Sequence, residues 1–236
     1  MSVIKPKPKK ETIIKYPGIE IITNAQCPRK CPGCNQQHWM EQNRDYQYTP
    51  ADAEYLVNAL TGYGIDVNLM FSGGEPKYWK HMQEVMTIFK QCEHVKYTQI
   101  YSSQFDEENI VNLTSNFDAV FLSVRNDSAC YLDNAPPYMR NCHLIDQRKH
   151  RIVTGETRRI DCCCMDSGVT ACVIGQSVYP CTTAAELSAT GQWWCVKPIT
   201  LDAYFSGRQS FPPIGSYRLC SVCPNNALAP CIYANT

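Results

Sequence analysis

Residues 19–34 read IEIITNAQCPRKCPGC, a short apolar run followed closely by three cysteines. The β-branched run Ile19–Thr23 is typical of a buried strand. Cys27, Cys31 and Cys34 then fall on one loop, four and three residues apart. A buried strand that leads into a group of thiols predicts a metal or catalytic site at the end of that strand.

Strand and helix patterns alternate through the rest of the first half of the chain. Further strands are predicted over residues 67–71, 97–101 and 119–124, and helices beginning near residues 49, 82 and 107 separate them. The first helix has Thr49 as its capping residue and ends near Gly62 and Gly64. This alternating order predicts an α/β fold with a parallel sheet and helical crossovers. A fifth strand is expected near Ile152-Val153.

Glycine-rich or polar segments follow three more of the predicted strands. They are Gly73-Gly74-Glu75-Pro76, Ser102-Ser103, and Ser123 with Arg125. Because the carboxyl ends of parallel strands meet at one edge of a sheet, we expect these segments on the same rim as the three cysteines. The two glycines allow the backbone to approach a ligand closely, and Glu75 can accept a hydrogen bond from an ammonium group.

Cysteine is the compositional outlier, at 15 of 236 residues. The odd number excludes complete pairing within the chain, and no secretory signal is visible, so we expect a cytoplasmic protein whose cysteines bind metal. The 22 basic and 22 acidic residues balance, and nucleic acid is therefore not expected as a partner. No uncharged stretch resembles a membrane span, so no membrane association is expected either.

Three thiolates at this spacing can hold three irons of a [4Fe–4S] cube and leave the fourth iron open to a small chelating molecule. With the glycine-rich segment after the second strand, residues 16–125 resemble the radical S-adenosylmethionine (SAM) superfamily. The resemblance implies a partial (β/α) barrel in which Cys27, Cys31 and Cys34 hold the cluster. It also implies that the Gly73–Pro76 segment binds the methionine amine of SAM.

The same resemblance implies further contacts to SAM from the ends of later strands. Ser123 and Arg125 are candidates for binding its carboxylate or ribose, and Ser102 is included as a third candidate. One residue departs from the superfamily pattern: the position before the third cysteine is usually aromatic and flanks the adenine, and here it is Gly33. The packing of the adenine is therefore left open, whereas ligation of the cluster is unaffected.

The second half of the chain holds nine cysteines between residues 162 and 231. The segment Cys164–Cys181 has Gly175 between apolar pairs, which predicts a β-hairpin that brings two cysteines together. An apparent helix at Ala184–Ala189 and the pair Cys220 and Cys223 follow. This arrangement resembles the twitch module, the short relative of the SPASM module, which holds one auxiliary [4Fe–4S] cluster. We therefore predict a radical SAM barrel over residues 16–155 and a small Cys-rich hairpin and helix module over residues 156–236.

The resemblance to the twitch module implies four ligands for the auxiliary cluster. Cys181, Cys220 and Cys223 are three of them, and Cys164 is chosen as the fourth. Alternatives for that fourth position are Cys162, Cys163 and Cys231. One auxiliary cluster is favoured over the two that a full SPASM module holds.

The superfamily resemblance implies reductive cleavage of SAM to a 5′-deoxyadenosyl radical that abstracts a hydrogen atom from the substrate. With an auxiliary cluster as electron acceptor, the expected reaction is a two-electron dehydrogenation of a small polar metabolite, as in the aminocyclitol dehydrogenases. A flavodoxin or ferredoxin is the expected electron donor. Modification of a peptide substrate by epimerisation or crosslinking, and modification of a nucleoside, are alternatives. Outside the enzymes, a four-cysteine zinc module is the rival.

No catalytic residue stands out from the sequence. Cys130 and Cys142 are candidate hydrogen-atom donors, although a lone cysteine is more often a packing residue. Arg151, Arg158 and Asp161 lie on a segment that could take the substrate proton, and nothing singles one of them out.

Overall fold

The structure, a computed structural model, describes residues 16–29, 34, 36–146, 169–181, 184–185 and 197–211. Its strands are Gly18–Ile22 (β1), Val67–Ser72 (β2), Val95–Ser102 (β3), Ala119–Val124 (β4), Cys142–Asp146 (β5), Val169–Ile174 (β6), Ser177–Tyr179 (β7) and Ile199–Thr200 (β8). Its helices are Gln37–Gln42 (α1), Pro50–Tyr63 (α2), Met82–Gln91 (α3), Glu107–Asn116 (α4), Cys130–Asp133 (α5) and Leu201–Phe205 (α6). The first four strands and the helices between them lie where the sequence predicts them.

The described strands form one sheet in the order β5-β4-β3-β2-β1-β6-β7-β8. Strands β1 to β5 pair in parallel with their neighbours, and β6 pairs in parallel with the free edge of β1. Strands β7 and β8 are antiparallel additions. The predicted α/β fold is confirmed, and the open sheet with its helical crossovers has the form of a partial barrel. The carboxyl ends of β1 to β4 consequently meet at one rim.

Local sequence signals account for the longest helix, α2. Thr49 accepts a hydrogen bond from the backbone N–H of Asp52, and the Asp52 carboxylate accepts one from the N–H of Thr49. This reciprocal pair satisfies two of the backbone donors that a helix start leaves unpaired. Gly64 ends the helix in the left-handed conformation, with φ of 64°.

The two faces of the sheet differ in character. One face packs against helices α2, α3 and α4 through the main apolar core, to which alternate strand residues contribute. These are Ile19, Ile21, Val67, Leu69, Phe71, Ile100, Val120, Leu122, Val124, Ala171 and Val173. Because successive side chains of a strand point to opposite faces, Glu20, Met70, Gln99 and Phe121 lie on the other face. That second face carries polar and aromatic groups, as ligand-binding surfaces do.

The second half of the chain joins the same sheet. The predicted hairpin is confirmed as β6 and β7, which turn at Gly175 with φ of 57°. The predicted boundary at residues 155–156 falls between the described segments that end at 146 and begin at 169. The predicted strand near Ile152-Val153 and most of the predicted helix Ala184–Ala189 also lie outside the described residues.

Candidate active site

The glycine-rich segment after β2 is joined directly to the start of the cysteine loop. The N–H of Gly74 donates to the carbonyl of Asn24 at 2.7 Å, and the N–H of Glu75 donates to the carbonyl of Gln26 at 2.8 Å. Gly73 has φ of 116°, a conformation that favours glycine. A Cβ at Gly74 would lie 2.3 Å from the carbonyl oxygen of Gln26, so only glycine fits there. The two strand-end segments therefore form one hydrogen-bonded unit.

The carboxylate of Glu75 joins this unit to the end of β3. It is almost fully buried and accepts hydrogen bonds from the hydroxyl of Ser102, from the hydroxyl of Ser103 at 2.8 Å and from the N–H of Ser103 at 3.0 Å. Burial raises the pKa of Glu75, and the serine hydrogen bonds and the charge of Arg29 oppose that rise. Acceptance of a ligand ammonium by Glu75 stays a prediction, since both of its oxygens already hold serine donors.

Arg29 connects the cysteine loop to the end of β4. Its Nη1 lies 2.9 Å from Oδ2 and 3.2 Å from Oδ1 of Asp127, in the turn that follows β4. Arg125 begins that turn, and its buried Nε has no hydrogen-bond partner among the described residues. Ser123 is buried on the same strand end. A buried guanidinium nitrogen without a partner is suited to an anionic group such as a carboxylate.

Two of the three predicted ligands of the first cluster are described, namely Cys27 and Cys34. Both are partly buried and pack against a second apolar cluster, whose buried members are Ile22, Ala25, Trp39, Met40, Cys172, Tyr179 and Ala185. Within the described residues no three potential metal ligands come together, and Cys31 is outside them. Partly exposed thiols on a loop that is fixed at its start are a donor set that fits an iron–sulfur cluster.

The β6–β7 hairpin reaches the same region. The hydroxyl of Tyr46 donates to the carbonyl of Ile22 at 3.2 Å and accepts from the N–H of Gly175 at 2.8 Å, which fastens the hairpin turn to the end of β1. Burial raises the pKa of Tyr46 far above its usual value, so the hydroxyl stays protonated. Cys181 follows the hairpin, and its buried Sγ accepts from the N–H of Ala184 at 3.4 Å.

An aromatic row that the sequence analysis does not predict crosses the face opposite the main core. Tyr101, Phe121 and His143 are register partners on β3, β4 and β5. Their rings stack, with centroids 5.2 Å apart for Tyr101 and Phe121 and 4.8 Å apart for Phe121 and His143. All three side chains are half-buried, and Gln99 donates to the hydroxyl of Tyr101 at 3.1 Å. The sequence could have indicated this row only if strand β5, which carries His143, had been predicted.

Comparisons with known proteins agree with this geometry. A family model described as a 4Fe-4S single cluster domain matches residues 18–128. No curated protein matches the chain. A solved structure, described as BtrN in complex with AdoMet and 2-DOIA, matches with a TM-score of 0.57 and 16% sequence identity. The match covers 88% of this chain and 85% of the BtrN chain.

The chain has a radical SAM partial-barrel fold. The chain thus shares its fold with BtrN, and residues 18–128 match a model of a 4Fe-4S single cluster domain. None of the described helices is long and apolar enough to cross a membrane.

The predicted SAM contacts lie at or just after the carboxyl ends of β2, β3 and β4, and their binding of SAM stays a prediction. They are Gly73, Gly74, Glu75, Pro76, Ser102, Ser123 and Arg125. Cys130 is exposed, whereas Cys142 lies on β5 and packs against the main core, where burial raises the pKa of its thiol to about 11.

The other predicted positions lie outside the described residues. These are Cys31, Cys162, Cys163, Cys164, Cys220, Cys223, Cys231, Arg151, Arg158 and Asp161.

Proposed function

We propose that this protein cleaves SAM reductively and uses the resulting radical to abstract a hydrogen atom from a small polar substrate. The observation that carries the proposal is the junction of the cysteine loop with the Gly73–Pro76 segment at one rim, in a fold shared with BtrN, which was solved with AdoMet. If Cys27, Cys31 and Cys34 hold a [4Fe–4S] cluster, it would supply the electron needed to split SAM into methionine and a 5′-deoxyadenosyl radical.

The rim residues divide the binding of cluster and cofactor among them. Cys27, Cys31 and Cys34 would hold three irons and leave one open. The backbone of the Gly73–Pro76 segment would receive the methionine amine at that open iron. Arg125, whose Nε lacks a partner among the described residues, would bind the carboxylate or ribose with help from Ser123. This arrangement orients SAM before any electron is transferred.

We propose further that the hairpin region holds one auxiliary cluster through Cys164, Cys181, Cys220 and Cys223. The hydrogen bond from the N–H of Ala184 to Sγ of Cys181 supports this role, because such bonds stabilise a thiolate and tune a cluster. A cluster there would accept the second electron of a dehydrogenation. A flavodoxin or ferredoxin would supply the first electron.

The face opposite the main core supports a small substrate that contains a ring. The row of Tyr101, Phe121 and His143 offers stacked, half-buried aromatic surface, and Gln99 lies beside it as a polar group. Aromatic walls with a few placed polar groups are typical of small-molecule sites. The 2-DOIA in the BtrN complex is consistent with a small-molecule ligand for this fold.

Metal analysis and product analysis test the proposal together. Anaerobically reconstituted protein should contain about eight irons and eight sulfides per chain, as expected for two cubes. With a strong reductant it should release 5′-deoxyadenosine from SAM. Cys27→Ala should abolish that release, whereas Cys92→Ala, which alters a buried thiol at the end of α3, should retain it. Zinc without sulfide, or no cleavage of SAM, would contradict the proposal.

A further inference from the structure

We infer that Asn24 is a positioning residue for SAM: its side chain holds the Gly73–Pro76 segment in the geometry that receives SAM, without being required for assembly of the cluster. The inference rests on the proposed function. Asn24 lies two residues after the end of β1 and three residues before Cys27, and it has no exposed surface. It is therefore placed between the cysteine loop and the glycine-rich segment.

The amide of Asn24 both accepts and donates hydrogen bonds across this junction. Its Oδ1 accepts from the N–H of Gln26 at 2.8 Å. Its Nδ2 donates to the carbonyl of Glu75 and to the hydroxyl of Thr23, each at 3.3 Å. The backbone carbonyl of Asn24 also accepts from the N–H of Gly74. Only a side-chain amide of this length supplies the acceptor and the donor at once.

The amide also fills the space beside the glycine-rich segment. A Cβ at Gly74 would lie 2.4 Å from Oδ1 of Asn24, so the two groups are already in close contact. On the far side, the Glu75 carboxylate is held by Ser102 and Ser103. The carbonyl of Glu75 and its side chain are consequently fixed from opposite directions.

A fixed orientation of the Gly73–Pro76 backbone should increase the affinity for SAM. The backbone groups that would meet the methionine amine gain most when they are oriented before SAM arrives, because no ordering is then required on binding. In this arrangement Asn24 acts through the peptide of Glu75, whose carbonyl accepts from its side-chain amide. Loss of its amide should therefore weaken SAM binding more than cluster assembly.

The substitution Asn24→Asp tests the donor alone. Aspartate keeps the shape and the acceptor for Gln26, but it removes the N–H group and places a carboxylate oxygen beside the Glu75 carbonyl. We expect the Kd for SAM to rise by about ten- to a hundred-fold, in line with the loss of one buried hydrogen bond with its penalty. Iron content should equal that of the unmodified protein. Asn24→Ala, which introduces no charge, should weaken SAM binding in the same range.

The measurements use anaerobically reconstituted full-length protein. Iron and sulfide analysis reports cluster assembly, and a thermal melt reports folding. The electron paramagnetic resonance spectrum of the reduced cluster is titrated with SAM, since chelation of the open iron changes that spectrum. For Asn24→Asp the spectrum without SAM should be unchanged, and the change on addition should need correspondingly more SAM. Asn116→Asp is the matched control, because Asn116 is also a buried donor, but it is the last residue of α4 and donates to the carbonyl of Asn112, away from the rim.

Four outcomes separate the hypotheses. An unchanged SAM titration in both Asn24 variants overturns the inference, and so does loss of iron in both folded variants, which would make Asn24 necessary for the cluster. If the unmodified protein itself neither assembles a cluster nor binds SAM, the proposed function fails and the inference fails with it. Weaker SAM binding with normal iron, absent in Asn116→Asp, supports the inference.

Discussion

Gly74 lies against the backbone of the cysteine loop with no room for a side chain. The nearest atoms to an added Cβ are backbone atoms of Gln26 and the amide oxygen of Asn24, which cannot rotate away. We expect Gly74→Ala to destabilise the protein by about 1–3 kcal/mol through overpacking. It should also lower the affinity for SAM, because the glycine-rich segment must move. Urea unfolding and a SAM titration measure the two effects.

Gly62→Ala provides the control for this substitution. Gly62 lies inside helix α2, and an added Cβ would meet nothing within 4 Å. Alanine should therefore raise the unfolding free energy by about 0.5–1 kcal/mol, as expected for glycine replaced within a helix. If Gly74→Ala were as stable as Gly62→Ala, the close contact at the rim would not exist in solution.

The sequence predicts which residues lie at the rim, but it does not predict which of them form hydrogen bonds or ion pairs with one another. The order of strands and helices places Glu75 and Ser102 at neighbouring strand ends, and the structure brings them together. The hydrogen bond between them depends on how far each strand extends, which no local pattern encodes. The ion pair between Arg29 and Asp127 could not be predicted either, because these residues are 98 positions apart and no local pattern relates them.

At the scale of secondary-structure elements, an ion cluster joins the starts of β2 and β3. His94 Nδ1 lies 2.9 Å and Lys96 Nζ lies 3.1 Å from the same carboxylate oxygen of Asp66. The hydrogen bond from His94, followed by that from Lys96, lowers the pKa of Asp66 below its usual value. The carboxylate is thus favoured in the folded state.

The lowered pKa of Asp66 predicts a pH dependence of stability. Because its folded pKa is below its unfolded pKa, the contribution to stability is complete above the unfolded value and is lost as acidification takes the pH from there down through the folded value. Asp66→Asn should be less stable at neutral pH and should lose less stability on acidification. Urea midpoints across this range measure the difference. Asp45→Asn, at an exposed position, should keep the pH dependence of the unmodified protein.

Elements with strong periodicity were predictable, and short ones were not. Helices α2, α3 and α4 show apolar residues at helical spacing, and β1 to β4 are β-branched or apolar runs. Strand β5 reads CHLID, five residues without regular alternation and without a strong β signal, and it pairs with the free edge of β4. Helix α1 has only six residues and follows the cysteine loop, so its pattern is too short to distinguish from a turn.

At the scale of the whole molecule, the second half of the chain completes the sheet of the first. Strand β6 pairs with β1 over residues 18–21, and β1 is buried between β2 and β6. Composition alone divides the chain near residue 155, because the density of cysteine changes there. Pairing between strands about 150 residues apart leaves no trace in composition, so the continuity of the sheet had to come from the structure.

Truncation tests that continuity. A chain that ends at residue 155 would expose the edge of β1, whose residues Ile19 and Ile21 belong to the main core. An apolar strand with an unpaired edge is prone to self-association. We expect this shortened chain to aggregate, and a chain that ends at residue 211, which keeps β6 to β8, to stay closer to monomeric. Size-exclusion chromatography with light scattering distinguishes the two. A folded, monomeric 1–155 chain would show that β6 is dispensable.

The pairing of β6 with β1 also limits which segments could replace the second half of the chain. A domain that contacts its neighbour only through surface side chains can be replaced without changing the core of that neighbour. Here Ala171 and Val173 lie opposite Ile19 and Ile21 and share the core with them. A foreign hairpin would need small or branched residues at these two positions, and a shift of one residue would turn them to the wrong face. Replacing the second half of the chain would therefore disturb the core of the first half.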